Sequence, residues 1–417
     1  MSGRCEVKRA ALAAAVLVVL SVPSAAMATT WVVGRDGATV QATLDRAQDG
    51  DVVEVPAGVW AGPARLERRV ELRGTGGVLD GGGQGTVLKI AGAGAVVRGL
   101  TIRGSGGDLG APDCCAYMEP TATGAVFRDN TLTDCAFGLW VHEVDGAQIV
   151  GNRVRGRAEV RDSDRGNGIH LFDASHLVVS DNEVIGARDG IYVSATEDSL
   201  IENNRLEGLR YGVHYMFSYR NTLRGNVSKG NLTGFALMQS RNMVIEGNVA
   251  EGNTRDGILF RDAQTCQIRG NKLIGNGQGL FFFSSTENQI EDNEVVGNDI
   301  GAKIWAGSVR NHVVGNRFVG NRQQVFYVGA TDLVLGEGEP GNTWSDYMGW
   351  DQDGDGVGDR PYRMDSFSSH LLYQYPSSVF LLQSPALELL AHLEEQLPLL
   401  RVPTIVDASP VLGKVQR

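Results

Sequence analysis

Residues 201–226 read IENNRLEGLRYGVHYMFSYRNTLRGN, and two registers within this stretch decide the fold. Ile201, two spacers and Asn204 return 22 residues later as Leu223, two spacers and Asn226, and between them Gly212 opens an alternation of Val213, His214, Tyr215 and Met216. Working outward, the first register repeats at Asn130, Asn152, Asn182, Asn204, Asn226, Asn248, Asn271, Asn293 and Asn316, in steps of 22, 30, 22, 22, 22, 23, 22 and 23. Three residues before each stands Phe127, Ile149, Val179, Ile201, Leu223, Ile245, Ile268, Ile290 or Val313. The second register starts at Gly138, Gly168, Gly190, Gly212, Gly234, Gly257, Gly279 and Gly301, and apolar residues occupy the first and third positions after each.

Period-two burial renewed every 22 or 23 residues means short strands joined by turns. A unit this short cannot bury its apolar face without a neighbour stacked on it. The predicted fold is therefore all-β, a right-handed parallel β-helix of about 22 residues per rung, with rungs roughly 4.8 Å apart. The recurrent Asn is expected to stack at a corner and exchange amide hydrogen bonds between rungs.

Residues 1–28 read as a cleaved export signal: Arg4, Lys8 and Arg9, an apolar run from Ala10 to Val22, then Ala26-Met27-Ala28. Cleavage removes Arg4, Glu6, Lys8 and Arg9, a net +2, and moves the formal charge from −11 to −13. So acidic a chain is a poor partner for nucleic acid or a polyanionic sugar. The remaining organisation is predicted as a β-helix with its N-terminal cap over 29–335 and a C-terminal cap, Asp-rich loop, helix and tail over 336–417.

Thr39 is a candidate N-cap ahead of Val40, Leu44 and Ala47 at helical spacing, a short helix suited to plugging the open end of the solenoid. Val52–Pro56 reads as the first strand, and Gly74–Gly77 and Gly81–Gly83 as turns. Two insertions interrupt the repeat: a loop between Ile102 and Gly124 containing Cys114, Cys115, Tyr117 and Met118, and a second within Val154–Arg165. Cys114, Cys115, Cys135 and Cys266 remain after export. A vicinal bond, a bridge from Cys114 or Cys115 to Cys135, and metal ligation by thiolate are all open.

If the first and third positions after each Gly are inward, the second and fourth face solvent. The second positions include Trp140, His170, Tyr192 and His214. The fourth include His142, Phe172, Met216, Met238, Phe283 and Trp305. Met216 and Met238 fall on neighbouring rungs and His214 two residues from Met216, with His170 two rungs away as a further candidate. An imidazole with two thioethers suits copper, Cu(I) above all. Packing beneath a loop or partner is the alternative use of such residues.

Beyond the last rung, Asp351, Asp353, Asp355 and Asp359 occupy positions 1, 3, 5 and 9 of a calcium-loop pattern with Gly356 at position 6. Position 12 is Tyr362 where a Glu is expected, with Asp365 as a substitute. Any Ca²⁺ there would be structural. Leu387 to Leu400 reads as an apolar-faced helix after Pro385, and Leu400–Val415 as an extended tail.

The Asn-marked repeats, Gly341-Asn342-Thr343-Trp344-Ser345-Asp346-Tyr347, the Asp-rich loop with Pro361-Tyr362, and Arg401-Val402-Pro403 together resemble the NosD family. The C-terminal block is the specific part. That resemblance implies a non-enzymatic periplasmic accessory protein handling copper for the copper–sulfide centre of nitrous oxide reductase. It also implies an ATP-binding-cassette transporter (NosF, NosY) as partner and sole route of membrane contact, and the lipoprotein NosL as copper donor. Two other classes remain: a metal-free docking platform, and a secreted β-helix lyase, hydrolase or epimerase using Asp162, Asp164, Arg165, His170 and Asp173.

Overall fold

The computed structural model describes residues 28–157, 159–305, 307–328, 333–335, 340–363, 384–385, 389, 393 and 404–412. The export signal, Asp365, Arg401-Val402-Pro403 and, apart from isolated positions, the helix after Pro385 lie outside them.

Residues one repeat apart become Cα partners in parallel ladders: Ile201 with Leu223, Leu223 with Ile245, Val213 with Phe235 and Phe235 with Ile258. A parallel β-helix results, with three strands to a regular turn. One ladder is a twelve-stranded sheet running from Ala64–Leu66 to Gln323–Val328, which contains Asp189–Ser194, Tyr211–Met216 and Thr233–Met238. The other two are built from three-residue strands such as Leu200–Glu202 and Arg205–Glu207. They merge into one 24-stranded sheet because the long early strands Val52–Ala61 and Glu71–Asp80 run across both faces.

The inward columns form one core. Val213, Tyr215, Phe235, Leu237, Ile258 and Phe260 have no exposed surface, and Phe260 stacks on Phe282 at 4.5 Å. Each such side chain contributes about 1.5–3 kcal/mol. Asn152 Nδ2 donates to Asn182 Oδ1 at 2.9 Å, Asn182 to Asn204 at 3.0 Å and Asn204 to Asn226 at 2.9 Å. The same amides donate backward to Phe127, Ile149 and Val179, the carbonyls of the apolar column. The residue before each ladder Asn (Asp129, Gly151, Asp181, Asn203, Gly225, Gly247, Gly270, Asp292, Gly315) has φ between 54° and 66°. Only Gly, Asn and Asp fill that column, the residues that tolerate left-handed backbone.

A second ladder, Asn231, Asn253, Asn276, Asn298 and Asn321, runs five residues behind the first and links in the same way, with Asn253 donating to Asn276 at 2.8 Å and Asn276 to Asn298 at 3.0 Å. The first ladder continues past Asn316 to Asn342 at 2.9 Å.

At the N-terminal end, Thr39 accepts from Ala42 N at 3.1 Å and caps the helix Val40–Leu44. Val40, Leu44 and Ala47 are buried against the first turns. The first strand is Thr30–Val32 rather than Val52–Pro56, since Thr30, Trp31 and Val32 pair with Val52, Val53 and Glu54. Gly74–Gly77 lies inside Glu71–Asp80, at the corner where that strand passes from one ladder to the other, with a φ of 95° at Gly76. A Cβ at Gly74 would sit 2.3 Å from Gly99 O, so Gly there permits close stacking. Gly82 and Gly83, with φ of 64° and 80°, do make the expected turn.

Cys114–Met118 is likewise a strand and not loop. Ala116 and Met118 alternate inward and pair with Leu139 and Val141, which confines the first insertion to the preceding residues. Cys115 and Cys135 form a disulfide, while Cys114 and Cys266 are buried free thiols. Burial pushes Cys266 up to about 11 and Cys114 higher still, so neither is a thiolate near neutral pH.

At the far end Thr343–Trp344 adds one more rung on Arg317–Phe318. Phe318, Trp344 and Tyr362 stack at successive distances of 4.4 Å. Within the segment read as a tail, Ile405–Asp407 is a buried strand, the middle member of a small sheet with Leu333–Leu335 and Tyr362–Arg363.

Candidate metal site on the outer face

The twelve-stranded sheet carries the second and fourth columns outside the solenoid. The first and third positions are buried as expected, but the second column is not open to solvent. His170 and His214 are 8% and 7% exposed, because large side chains on rungs roughly 4.8 Å apart cover one another. Trp140 stacks on His170 at 3.6 Å, His170 meets Tyr192 at 4.7 Å, and Tyr192 meets His214 at 5.0 Å. The fourth column is more open, with Phe172 and Trp305 about two-fifths exposed and Met216 and Met238 half-buried.

Register pairs two of the four copper candidates. Met216 and Met238 are Cα partners on adjacent strands, and His214 lies two residues from Met216 opposite the small Ala236. His170 is set apart: Tyr192 stands between it and His214 in the column. Asn167 Nδ2 lies 3.0 Å from His170 Nδ1, and burial pushes this imidazole down to about 3. With an amide donating to Nδ1, the neutral ring carries its proton on Nε2 and serves packing.

His214 is held differently. Its Nδ1 lies 2.9 Å from Asp189 Oδ2, and the same carboxylate accepts from Arg210 Nε at 2.8 Å and Nη2 at 2.7 Å. Asp189 is fully buried. Burial alone would push its carboxyl up, but Arg210 and His214 together outweigh it and hold the group below the usual carboxylate range. The Nε2 of His214 is buried and has no hydrogen-bond partner. A histidine whose far nitrogen is bound to a carboxylate and whose near nitrogen is vacant is the arrangement found behind metal-ligating imidazoles.

Sequence reading missed Asp189 and Arg210. The signal was the residue before each column Gly, among them Asn167, Asp189, Tyr211, Thr233, Asp256 and Gln278, a mostly polar column in an otherwise apolar strand.

Asp351, Asp353 and Asp355 bring carboxylate oxygens within 4.8 Å of one another. Asp359 instead accepts from Gln352 N at 2.7 Å, and Tyr362 at position 12 is committed to the Trp344 stack. The carbohydrate-enzyme candidates do not converge. Asp162 and Asp164 lie on an exposed turn, with Asp162 in an ion pair with Arg165 at 2.9 Å, Asp173 sits at an exposed corner, and His170 is inside the ring stack. Two surface clefts of about 470 and 410 Å³ are lined by other residues, the second by Lys89, Tyr117, Glu119 and His142 among them.

The chain is a parallel β-helix that carries histidine and methionine on the outer face of its twelve-stranded sheet. A family profile described as periplasmic copper-binding protein (NosD) matches residues 150–349. The chain is 37% identical over 373 residues to a probable ABC transporter binding protein NosD of Pseudomonas aeruginosa, covering 85% of this chain and 87% of that one. It is 36% identical over 387 residues to the protein of the same description from Stutzerimonas stutzeri, covering 89% of each. The chain belongs to the NosD family. Among solved structures, a Yersinia enterocolitica family 28 exopolygalacturonase matches at a TM-score of 0.51 and 11% identity, over 72% of this chain and 77% of that one, which shows the shared solenoid fold alone.

Proposed function

We propose that this protein is a periplasmic, non-enzymatic accessory protein that carries copper, as Cu(I), for assembly of the copper–sulfide centre of nitrous oxide reductase. It works with an ABC transporter (NosF, NosY) and receives copper from NosL. Family membership supports the class, and the names of the two relatives support the transporter partnership. The observation that supports the copper site is the buried, unpartnered Nε2 of His214, on the strand whose Met216 is the Cα partner of Met238. Copper is cargo here. His214 would hold it through nitrogen and the two methionines through sulfur, a set soft enough to favour Cu(I) and weak enough in charge to release it. His170 acts by packing and takes no part in the ligand set.

The test is anaerobic Cu(I) titration against a competing chelator. Tight binding that falls at least tenfold in Met216→Ala/Met238→Ala supports the assignment. Tight binding unchanged in that variant moves the site elsewhere, and no binding by the wild type removes copper carriage.

We also assign a structural Ca²⁺ to Asp351, Asp353 and Asp355, with Asp359 joining once it leaves Gln352. A rise in Tm on adding millimolar Ca²⁺, lost in Asp353→Asn, is the expected result. An unchanged Tm would dismiss the ion.

A further inference from the structure

We infer that Asp189 and Arg210 form a positioning pair that decides which nitrogen of His214 is free to bind metal, an inference that rests on the copper reading only for its use. An ionised carboxylate has no proton to give, so the nitrogen facing Asp189 must be the donor. At 2.9 Å from Oδ2, Nδ1 therefore carries the proton of the neutral ring, the tautomer in which Nε2 keeps its lone pair. Arg210 fixes the carboxylate through two parallel N–H bonds, Nε to Oδ1 and Nη2 to the Oδ2 that His214 also meets, which leaves Asp189 no alternative rotamer without breaking both. Tyr192 and Tyr211, with ring centroids 5.0 and 4.5 Å from the imidazole, then hold the ring plane.

The three charged and polar groups come from two consecutive rungs. Asp189 opens one strand, Arg210 immediately precedes the next, and His214 lies within it, with Asp189 and Tyr211 as Cα partners. A turn-to-turn register thus becomes a proton position. His170, the other histidine of this column, has the opposite environment, an amide against its Nδ1 in place of a carboxylate. Two histidines in one column are therefore set to opposite tautomers, and only His214 is directed toward ligation.

The experiment is long-range ¹H–¹⁵N correlation on the metal-free, histidine-labelled mature chain, paired with Cu(I) affinity of the same samples. His214 is expected in the Nδ1–H form and His170 in the Nε2–H form. Asp189→Asn is expected to shift His214 toward Nε2–H and to weaken Cu(I) by about 10- to 100-fold. Arg210→Lys, the milder variant in case the first does not fold, is expected to shift the tautomer partway. An Nε2–H signal for His214 in the wild type overturns the inference, as does an unchanged tautomer in both variants. An Nδ1–H tautomer in a protein that binds no Cu(I) supports the positioning role and overturns the copper reading.

Discussion

Asn342 donates both its backbone N–H, at 2.7 Å, and its side-chain amide, at 3.1 Å, to Oδ2 of Asp407, a residue 65 positions later. Trp344 Nε1 donates to the same oxygen at 2.9 Å. Nine amides pass hydrogen bonds from rung to rung before Asn342, and the buried carboxylate is where that chain ends. Asp407→Ala should remove the acceptor for four donors, Ser409 N on Oδ1 included, and destabilise the protein by about 3 kcal/mol, with the loss seen in urea unfolding. An effect below 1 kcal/mol would show that the C-terminal strand is not needed to close the solenoid.

Mid-ladder substitution should act more sharply on cooperativity. Asn226 accepts from Asn204 and donates to Asn248 and to Ile201 O, so Asn226→Ala leaves buried groups unpaired on two neighbours. A loss of about 2–4 kcal/mol is expected, together with a broadened or biphasic melt as rungs on either side uncouple. A single sharp transition displaced by less than 1 °C would contradict this.

The Cys115–Cys135 disulfide closes a short loop across the first regular turns, with a sequence separation of 20. Cys135→Ser should cost about 3 kcal/mol through the freedom restored to the unfolded chain. Cu(I) affinity should be untouched, because the soft ligands lie on later rungs. A parallel fall in affinity would bring cysteine back as a copper ligand.

His170 gives the stability a pH dependence. Its folded-state value is depressed to about 3 by burial, against 6.5 when free, so the unfolded chain takes up a proton between those values and the native state does not. That contribution is present above pH 6.5 and is lost as pH falls. Between pH 7 and pH 5 the loss should be about 2 kcal/mol. In His170→Phe, which preserves a ring against Trp140, the slope over this interval should flatten. An unchanged slope would mean that His170 is protonated in the native state.

The solenoid was legible because its physical requirement is periodic. Burial on alternate positions and an Asn in left-handed corners recur at a spacing that one chain can show without any partner. Val213, Tyr215, Phe235 and Leu237 went to the core for that reason, and the first Asn ladder stacked for the same one. Where composition hid the period, reading failed. Cys114–Met118 looked like loop because cysteine and tyrosine mask its alternation.

By itself the sequence determined the repeat, the inward and outward columns, the soft residues of one outer face and the family resemblance in the C-terminal block. The tertiary structure alone decided what each outward residue does, since that depends on neighbours a whole turn away. Register placed Met216 against Met238 and slid Tyr192 between the two histidines. It set a carboxylate behind one imidazole and an amide behind the other. It also carried Asp407 back across 65 residues to end a ladder whose last members show no sequence sign of needing it. Local periodicity encodes which way a side chain points, and stacking decides what it meets there.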